Sequence, residues 1–224
     1  MNLIEAVLWD MDGVLIDSEH LVQQAFTEVM LATDYMDDPA QKYLETVGFN
    51  RASTVNWYLP YVGSREIAEE LYSKVHDTYI ELSKTQLKLK AGVVEALKTV
   101  QYMGIPQMVV TSTRTEVALL KLARFNILSY FEDVLGGDQV SKGKPHPEPY
   151  ITGANRLKVP TKNALVIEDS ENGVKSGVAA GCMVLHMPDL INTKLEWNNV
   201  IYGALDSLES FPEWLSSKQF GMWV

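Results

Sequence analysis

Ala6-Val7-Leu8-Trp9-Asp10-Met11-Asp12-Gly13 is the stretch on which the fold turns. Four apolar residues run straight into two carboxylates spaced two apart, followed by a glycine. A short, continuous apolar run suits a strand buried on both faces of a parallel sheet, and its abrupt polar end marks a loop at the strand's carboxyl end. Outward from this point the texture changes. Over 18–87 helical periodicity dominates: Leu21, Val22, Ala25, Phe26, Val29 and Met30 share one helix face. Further helices are expected over 39–46, 52–58 and 65–87, with no convincing buried strand among them.

Beyond residue 91 the elements alternate. A helix over 93–103 ends at Gly104, a strand follows over 107–110, then a helix over 116–124 and a short strand at 134–135. Next come a helix over 147–156 with proline at its start, a strand over 164–167, a helix over 173–180 closed by Gly181, a strand over 183–186 and a last helix over 207–216. Such alternation implies right-handed crossovers and a parallel sheet with helices on both faces. The first strand has no partner unless it joins that sheet. The expected fold class is therefore α/β: a Rossmann-like core formed by 1–15 and 91–224, with a bundle of α-helices, a cap, inserted over 16–90.

The composition removes several function classes. The chain has 224 residues, 46% of them hydrophobic, and a single cysteine, which excludes an internal disulfide and a cysteine-based zinc site. A reducing, cytoplasmic setting is the expected one. No apolar run approaches the ~18 residues of a membrane span, and residues 1–5 lack the basic start of a secretory signal. A net charge of −10 argues against nucleic acid as a partner. A small anionic substrate stays compatible with it where a metal and a few cations reverse the field locally.

In an open α/β sheet, ligands bind outside the carboxyl ends of the strands. The polar groups there are Asp10 and Asp12 after the first strand, Thr111-Ser112-Thr113-Arg114 after the second, and Glu168-Asp169-Ser170 after the fourth; Lys142-Gly143-Lys144-Pro145 precedes the 147–156 helix. Four carboxylates in one cleft repel one another unless their pKa values rise or a cation binds. Oxygen ligands without His or Cys favour Mg²⁺ over zinc. Thr111 and Ser112, between strand and helix, offer hydroxyls and free N–H groups to an anion, and Lys144 adds positive charge. This set suits phosphoryl transfer, where catalysis is mostly positioning and charge stabilisation. Asp10 could attack phosphorus, and Asp12 could protonate the leaving oxygen and then activate water.

These residues, in this order, resemble the four motifs of the haloacid dehalogenase superfamily, most closely the small phosphatases and β-phosphoglucomutases with a helical cap after the first strand. Asp17-Ser18-Glu19, Gly48-Phe49-Asn50-Arg51 and Gly173 with Ala179-Ala180-Gly181 extend the likeness to essentially the whole chain. The resemblance implies Asp10 as nucleophile and metal ligand, and Asp12 as acid/base with its backbone carbonyl on the metal. It implies Thr111 and the Ser112 backbone as phosphate cradle, and Lys144 as the neutralising charge. Asp169 would complete a Mg²⁺ shell, with Glu168 in or next to it; Arg51 would reach toward substrate and Glu19 would make a contact at the seam between the two parts. The activity implied is Mg²⁺-dependent hydrolysis of a small phosphomonoester, such as a sugar phosphate, by a monomer or weak homodimer. The alternative is a phosphosugar mutase. In the mutases a histidine stands five residues after the aspartate matching Asp17; here that position is Val22, with His20 out of register, which favours hydrolysis.

Some residues carry two readings. Thr113 and Arg114 are expected to start a helix, Ser170 to shape its loop, and Cys182 to be a small core residue. Trp57, Tyr58 and Tyr61 fit either bundle core or a substrate wall.

Overall fold

In the computed structural model, which describes residues 3–47, 49, 51–190 and 200–220, Ala6–Trp9 forms β1, and its side chains are wholly removed from solvent. The other strands are β2 (Gln107–Val110), β3 (Val134–Leu135), β4 (Ala164–Glu168), β5 (Met183–His186) and β6 (Gly203–Ala204). All pair in parallel, in the order β3-β2-β1-β4-β5-β6. β1 is central: Leu8 pairs with Met108 on one side and Val166 on the other. The order reverses direction at β1, so the crevice between the carboxyl ends of β1 and β4 is where such a sheet binds ligands.

The helices are α1 (Glu19–Leu31), α2 (Pro39–Tyr43), α3 (Arg51–Val62), α4 (Arg65–Gln86), α5 (Val93–Tyr102), α6 (Thr115–Arg124), α7 (Glu148–Arg156), α8 (Glu171–Ala179) and α9 (Phe211–Phe220). The chain divides into two compact units, Met1–Ile16 with Leu89–Val224, and Asp17–Lys88. Ile16 and Leu89 stay with the sheet unit, inside the span expected for the insertion, because bridges tie Asp12 to Ile16 and Ile16 to Leu89. The Lys90 N–H likewise donates to the Leu15 carbonyl at 3.0 Å.

Alternation along the strands builds two layers of core in the sheet unit. Leu8 joins Met108, Val110, Val166 and Val184 in a cluster with Tyr150 and Ala154 of α7 and Val174 of α8. Trp9, pointing the other way, meets Phe211 of α9 edge-on at 5.3 Å. Its indole N–H donates to Gln107 Oε1 at 2.9 Å, and the Gln107 amide donates to the Leu97 carbonyl at 3.1 Å. A glutamine in a buried strand thus has both the oxygen and the nitrogen of its amide bonded, which offsets the cost of burying a polar group.

Several elements depart from the sequence expectation: α2 stops at Tyr43 rather than 46, α8 starts at Glu171 rather than 173, and three further differences bear on the packing. α3 continues past residue 58 to Val62, through Pro60. Pro60 and Asn56 both lie on the exposed face, where the carbonyl that proline cannot bond is open to solvent. β6 has no apolar signature, being a Gly-Ala pair held by its register with β5. The last helix opens with a 3₁₀ turn at Leu208–Ser210 and runs as α9 to Phe220; Ser207 caps the turn from outside.

The helical unit packs around aromatic rings. α1 buries Leu21, Ala25, Phe26 and Met30, with Val22 and Val29 at the edge of that face. The Phe26 ring lies 5.6 Å from Tyr43 and 6.1 Å from Tyr58. Tyr58 is 1% exposed, which makes it core; Trp57 and Tyr61 are half-buried beside it. Ser64 caps α4 through the Ile67 N–H. Gly48 and Asn50 lie outside the described residues, as do residues 221–224.

Candidate active site

The polar residues expected at the strand ends gather at one end of the sheet unit. The Asp10 N–H donates to the Ile167 carbonyl at 2.9 Å, extending the β1–β4 pairing one step past β1 and fixing the aspartate beside β4. Lys144, from the loop before α7, sends its ammonium to Asp10 Oδ1 at 2.5 Å, Glu168 Oε1 at 2.6 Å and the Val110 carbonyl at 3.0 Å. Three protons meet three acceptors, so the ammonium is saturated. Its nitrogen also lies 5.0 Å from the centre of the Tyr150 ring.

Glu168 is wholly buried at the end of β4, one residue further than the strand was expected to run. Oε1 accepts from Lys144 and from the Tyr150 hydroxyl at 2.7 Å; Oε2 accepts from the Ser170 N–H at 3.2 Å and its hydroxyl at 3.1 Å. Four donors on one carboxylate offset the cost of burying it. Space for it comes from Gly173 in the first turn of α8, where any Cβ would overlap the Glu168 carboxylate. Ser170 also caps α8 by accepting from the Gly173 N–H at 3.0 Å. Gly13, at φ +86°, serves likewise: a side chain there would overlap the Asp169 carboxylate.

Charge is unevenly balanced. Carboxylate oxygens of Asp10, Glu168 and Asp169 lie within 4.8 Å of one another, and Lys144 supplies one positive charge among them. Burial pushes the Asp10 carboxyl up to about 8, Lys144 pulling it back and Glu168 and Asp12 adding repulsion. Burial works against the charged form of Lys144, yet Asp10 and Glu168 outweigh it and hold the ammonium above the ordinary lysine range. Burial, then Glu168 and Asp10, raise the Tyr150 phenol well above its usual value, so it stays a donor. Hard oxygen donors with excess negative charge fit a divalent cation of the Mg²⁺ kind.

A second cluster surrounds Asp12. Its Oδ2 accepts from the Thr113 hydroxyl at 2.7 Å and its Oδ1 from the Lys121 ammonium at 2.6 Å. Thr111 is buried, its N–H donating to the Leu135 carbonyl at 3.0 Å and its Oγ accepting from the Thr113 N–H at 3.1 Å. Ser112 is exposed at the turn into α6. Asp138 braces the start of α6 from the next loop, accepting from the Thr115 N–H at 2.7 Å and its hydroxyl at 2.8 Å.

Residues 7–187 match the family model of the haloacid dehalogenase-like hydrolases. The chain belongs to that family. Among its relatives, a phosphorylated carbohydrates phosphatase of Thermotoga maritima is 33% identical over 180 residues, covering 80% of this chain and 82% of its own. A phosphoglycolate phosphatase of Neisseria gonorrhoeae is 30% identical over 189 residues, covering 80% and 78%. A solved β-phosphoglucomutase candidate from Thermotoga maritima superposes with a TM-score of 0.79 at 28% identity, covering 95% of this chain and 99% of that one.

Of the residues singled out in the hydrolase sequence, Asp10, Lys144, Glu168 and Asp169 form one cluster, Asp12 is held by Thr113 and Lys121, and Thr111 and Ser112 lie where β2 leads into α6. Arg51 and Glu19 belong to the helical unit. Arg51 opens α3, pairs with Glu69 at 2.8 Å and stacks on Tyr72 at 5.3 Å. Glu19 accepts from the Tyr43 hydroxyl at 2.9 Å. Three side chains of the candidate site were not foreseen as such. Thr113, expected to start a helix, instead grips Asp12. Tyr150 lay hidden in an ordinary helix. Lys121 did carry a signal: it sits on the inward stripe of α6 with Ala118 and Leu122, where a lone charge needs a partner.

Proposed function

We propose that this hydrolase removes the phosphoryl group from a small phosphomonoester, such as a sugar phosphate, with Mg²⁺ as cofactor. The observation that carries the reading is the buried Asp10–Lys144–Glu168 cluster at the carboxyl end of β1 and β4, with Asp169 alongside. The relatives, phosphatases of phosphorylated carbohydrates and of phosphoglycolate, support the substrate class. Asp10 and Asp169, with the backbone carbonyl of Asp12, would hold the cation, which when bound screens the negative charge of the phosphoryl group. Glu168 has both oxygens engaged by protein donors, so its part is to anchor Lys144 and border the metal rather than to give up a donor.

The chain's own residues supply the rest. An Asp10 oxygen attacks phosphorus as the bond to the ester oxygen breaks, giving an aspartyl-phosphate. Asp12 gives its proton to the departing oxygen, then takes one from the water that attacks the aspartyl-phosphate, releasing inorganic phosphate and restoring Asp10. Lys144 neutralises the Asp10 side, and Thr111 with the Ser112 backbone cradles the phosphoryl oxygens. Arg51 and Glu19 enter as substrate contacts through the family pattern.

The mutase alternative takes support from the solved β-phosphoglucomutase candidate. Against it, Val22 occupies the mutase histidine position, and His20 pairs with Asp17 at 2.7 Å instead. The deciding assay is phosphate release from a panel of sugar phosphates and phosphoglycolate, with Mg²⁺, with EDTA, and with Asp10→Asn. Release that needs both Mg²⁺ and Asp10 is expected; isomerisation of a hexose phosphate, dependent on a bisphosphate primer and without net release, would replace hydrolysis by the mutase.

A further inference from the structure

Asp12 takes its side-chain partners from outside the Asp10–Lys144–Glu168 cluster. Both of its oxygens are engaged, each by a different element: Thr113 holds Oδ2 from the turn before α6, and Lys121 holds Oδ1 from two turns inside that helix. The lysine is 15% exposed and the aspartate 24%, so the pair is largely shielded from solvent. Lys121 reaches it from a helix face otherwise given to Ala118 and Leu122. An aliphatic residue would pack there more cheaply than a lysine, which must give up hydration.

We infer that Lys121 is a positioning residue for the general acid/base, fixing the direction of the Asp12 carboxylate through α6. This rests on the acid/base role proposed for Asp12. An aspartate on a two-residue link after β1 has two free torsions of its own. Two donors fixed to one helix and its leading turn remove that freedom. Proton transfer falls off steeply when the donor is misaimed, so the hold on Asp12 is felt at the step where the leaving oxygen needs its proton. Thr113 alone cannot supply the hold, since one hydrogen bond leaves the carboxylate free to swing about it.

The test compares two esters of similar shape. Phenyl phosphate expels a poor leaving group that needs a proton; p-nitrophenyl phosphate expels a stable anion that does not. In Mg²⁺ buffer, Lys121→Met is expected to lower kcat/KM for phenyl phosphate roughly tenfold while changing that for p-nitrophenyl phosphate less than about twofold. Lys121→Arg, which keeps a donor at the site, is expected to restore most of the loss. Asp12→Asn should show the same leaving-group dependence more strongly, and adding Lys121→Met to it should cost nothing further, because the lysine acts only through the aspartate. Equal losses with both esters would overturn the inference, since a structural role alone gives that pattern. So would faster turnover of phenyl phosphate in Lys121→Met, or additive effects in the double variant. If Asp12→Asn itself shows no leaving-group dependence, the acid/base reading falls and this inference with it; a selective Asp12→Asn with an unselective Lys121→Met removes the inference alone.

Discussion

The two units hold their charged residues in opposite ways. In the sheet unit the side chains of Lys144, Asp10 and Glu168 are 5%, 10% and 0% exposed, and Lys144 joins partners 134 and 24 residues away in sequence. In the helical unit, Arg51 and Glu69 are 63% and 36% exposed and 18 residues apart. An exposed pair of the second kind contributes about 0–1 kcal/mol, whereas removing one member of a buried pair costs about 3–5 kcal/mol. The sheet unit therefore presents chemistry already assembled, at a price in desolvation. The helical unit presents charges that change partner at little cost.

The sharpest way to break this contrast is Asp10→Asn. Loss of the proposed nucleophile is expected to lower kcat by about 10⁴-fold or more, read as phosphate release under saturating substrate. Lys144→Met comes next. It leaves Asp10 and Glu168 buried without their cation, so kcat should fall about 10²–10³-fold and stability by about 3–5 kcal/mol, the latter from urea titration in EDTA. Retained activity there would mean that the buried network is incidental to the chemistry.

Phe26→Ala sharpens the other side. It removes the ring at the centre of the helical unit's aromatic cluster and is expected to cost about 3–5 kcal/mol, seen as an early transition in thermal melting. Arg51→Ala should be milder: stability within about 1 kcal/mol of the parent, and KM for a sugar phosphate raised up to about tenfold with kcat little changed. A large drop in stability would show that the pair with Glu69 is structural after all. The smallest effect belongs to Cys182, half-buried beside the sheet core, where burial pushes the thiol up to about 12. With so little thiolate at pH 8, its labelling by iodoacetamide should run more than about a hundredfold slower than in urea-unfolded protein.

How legible these features were in the sequence follows the same division. The mostly apolar runs at 6–9, 107–110 and 183–186 became strands at the expected bounds, because a strand buried on both faces is filled largely by apolar side chains. Once the sheet order is known, the strand-end groups fall together by topology. What escaped notice was set by packing. Tyr150 looks like any helical residue until α7 lies across β1 and β2, and Thr113 like any helix start until Asp12 turns toward it. In the helical unit, periodicity located α1 and α4, but the helix expected over 52–58 runs on to Val62 through Pro60, whose outward orientation could not be known.

Ile16 meets Leu89 across an antiparallel bridge, and Lys90 returns a hydrogen bond to Leu15. From the sheet unit's side, residues 17–88 are thus a single long detour whose two ends are already clasped. Closing a loop costs free energy only as the logarithm of its length, so the clasp tolerates cassettes of very different size. Exchanging this insert for another with the same end spacing should keep the strand register and the carboxylate cluster intact, making the clasp the natural cut point for replacing the helical unit. No such freedom exists between β4 and α8, where Glu168 and Gly173 contend for the same volume.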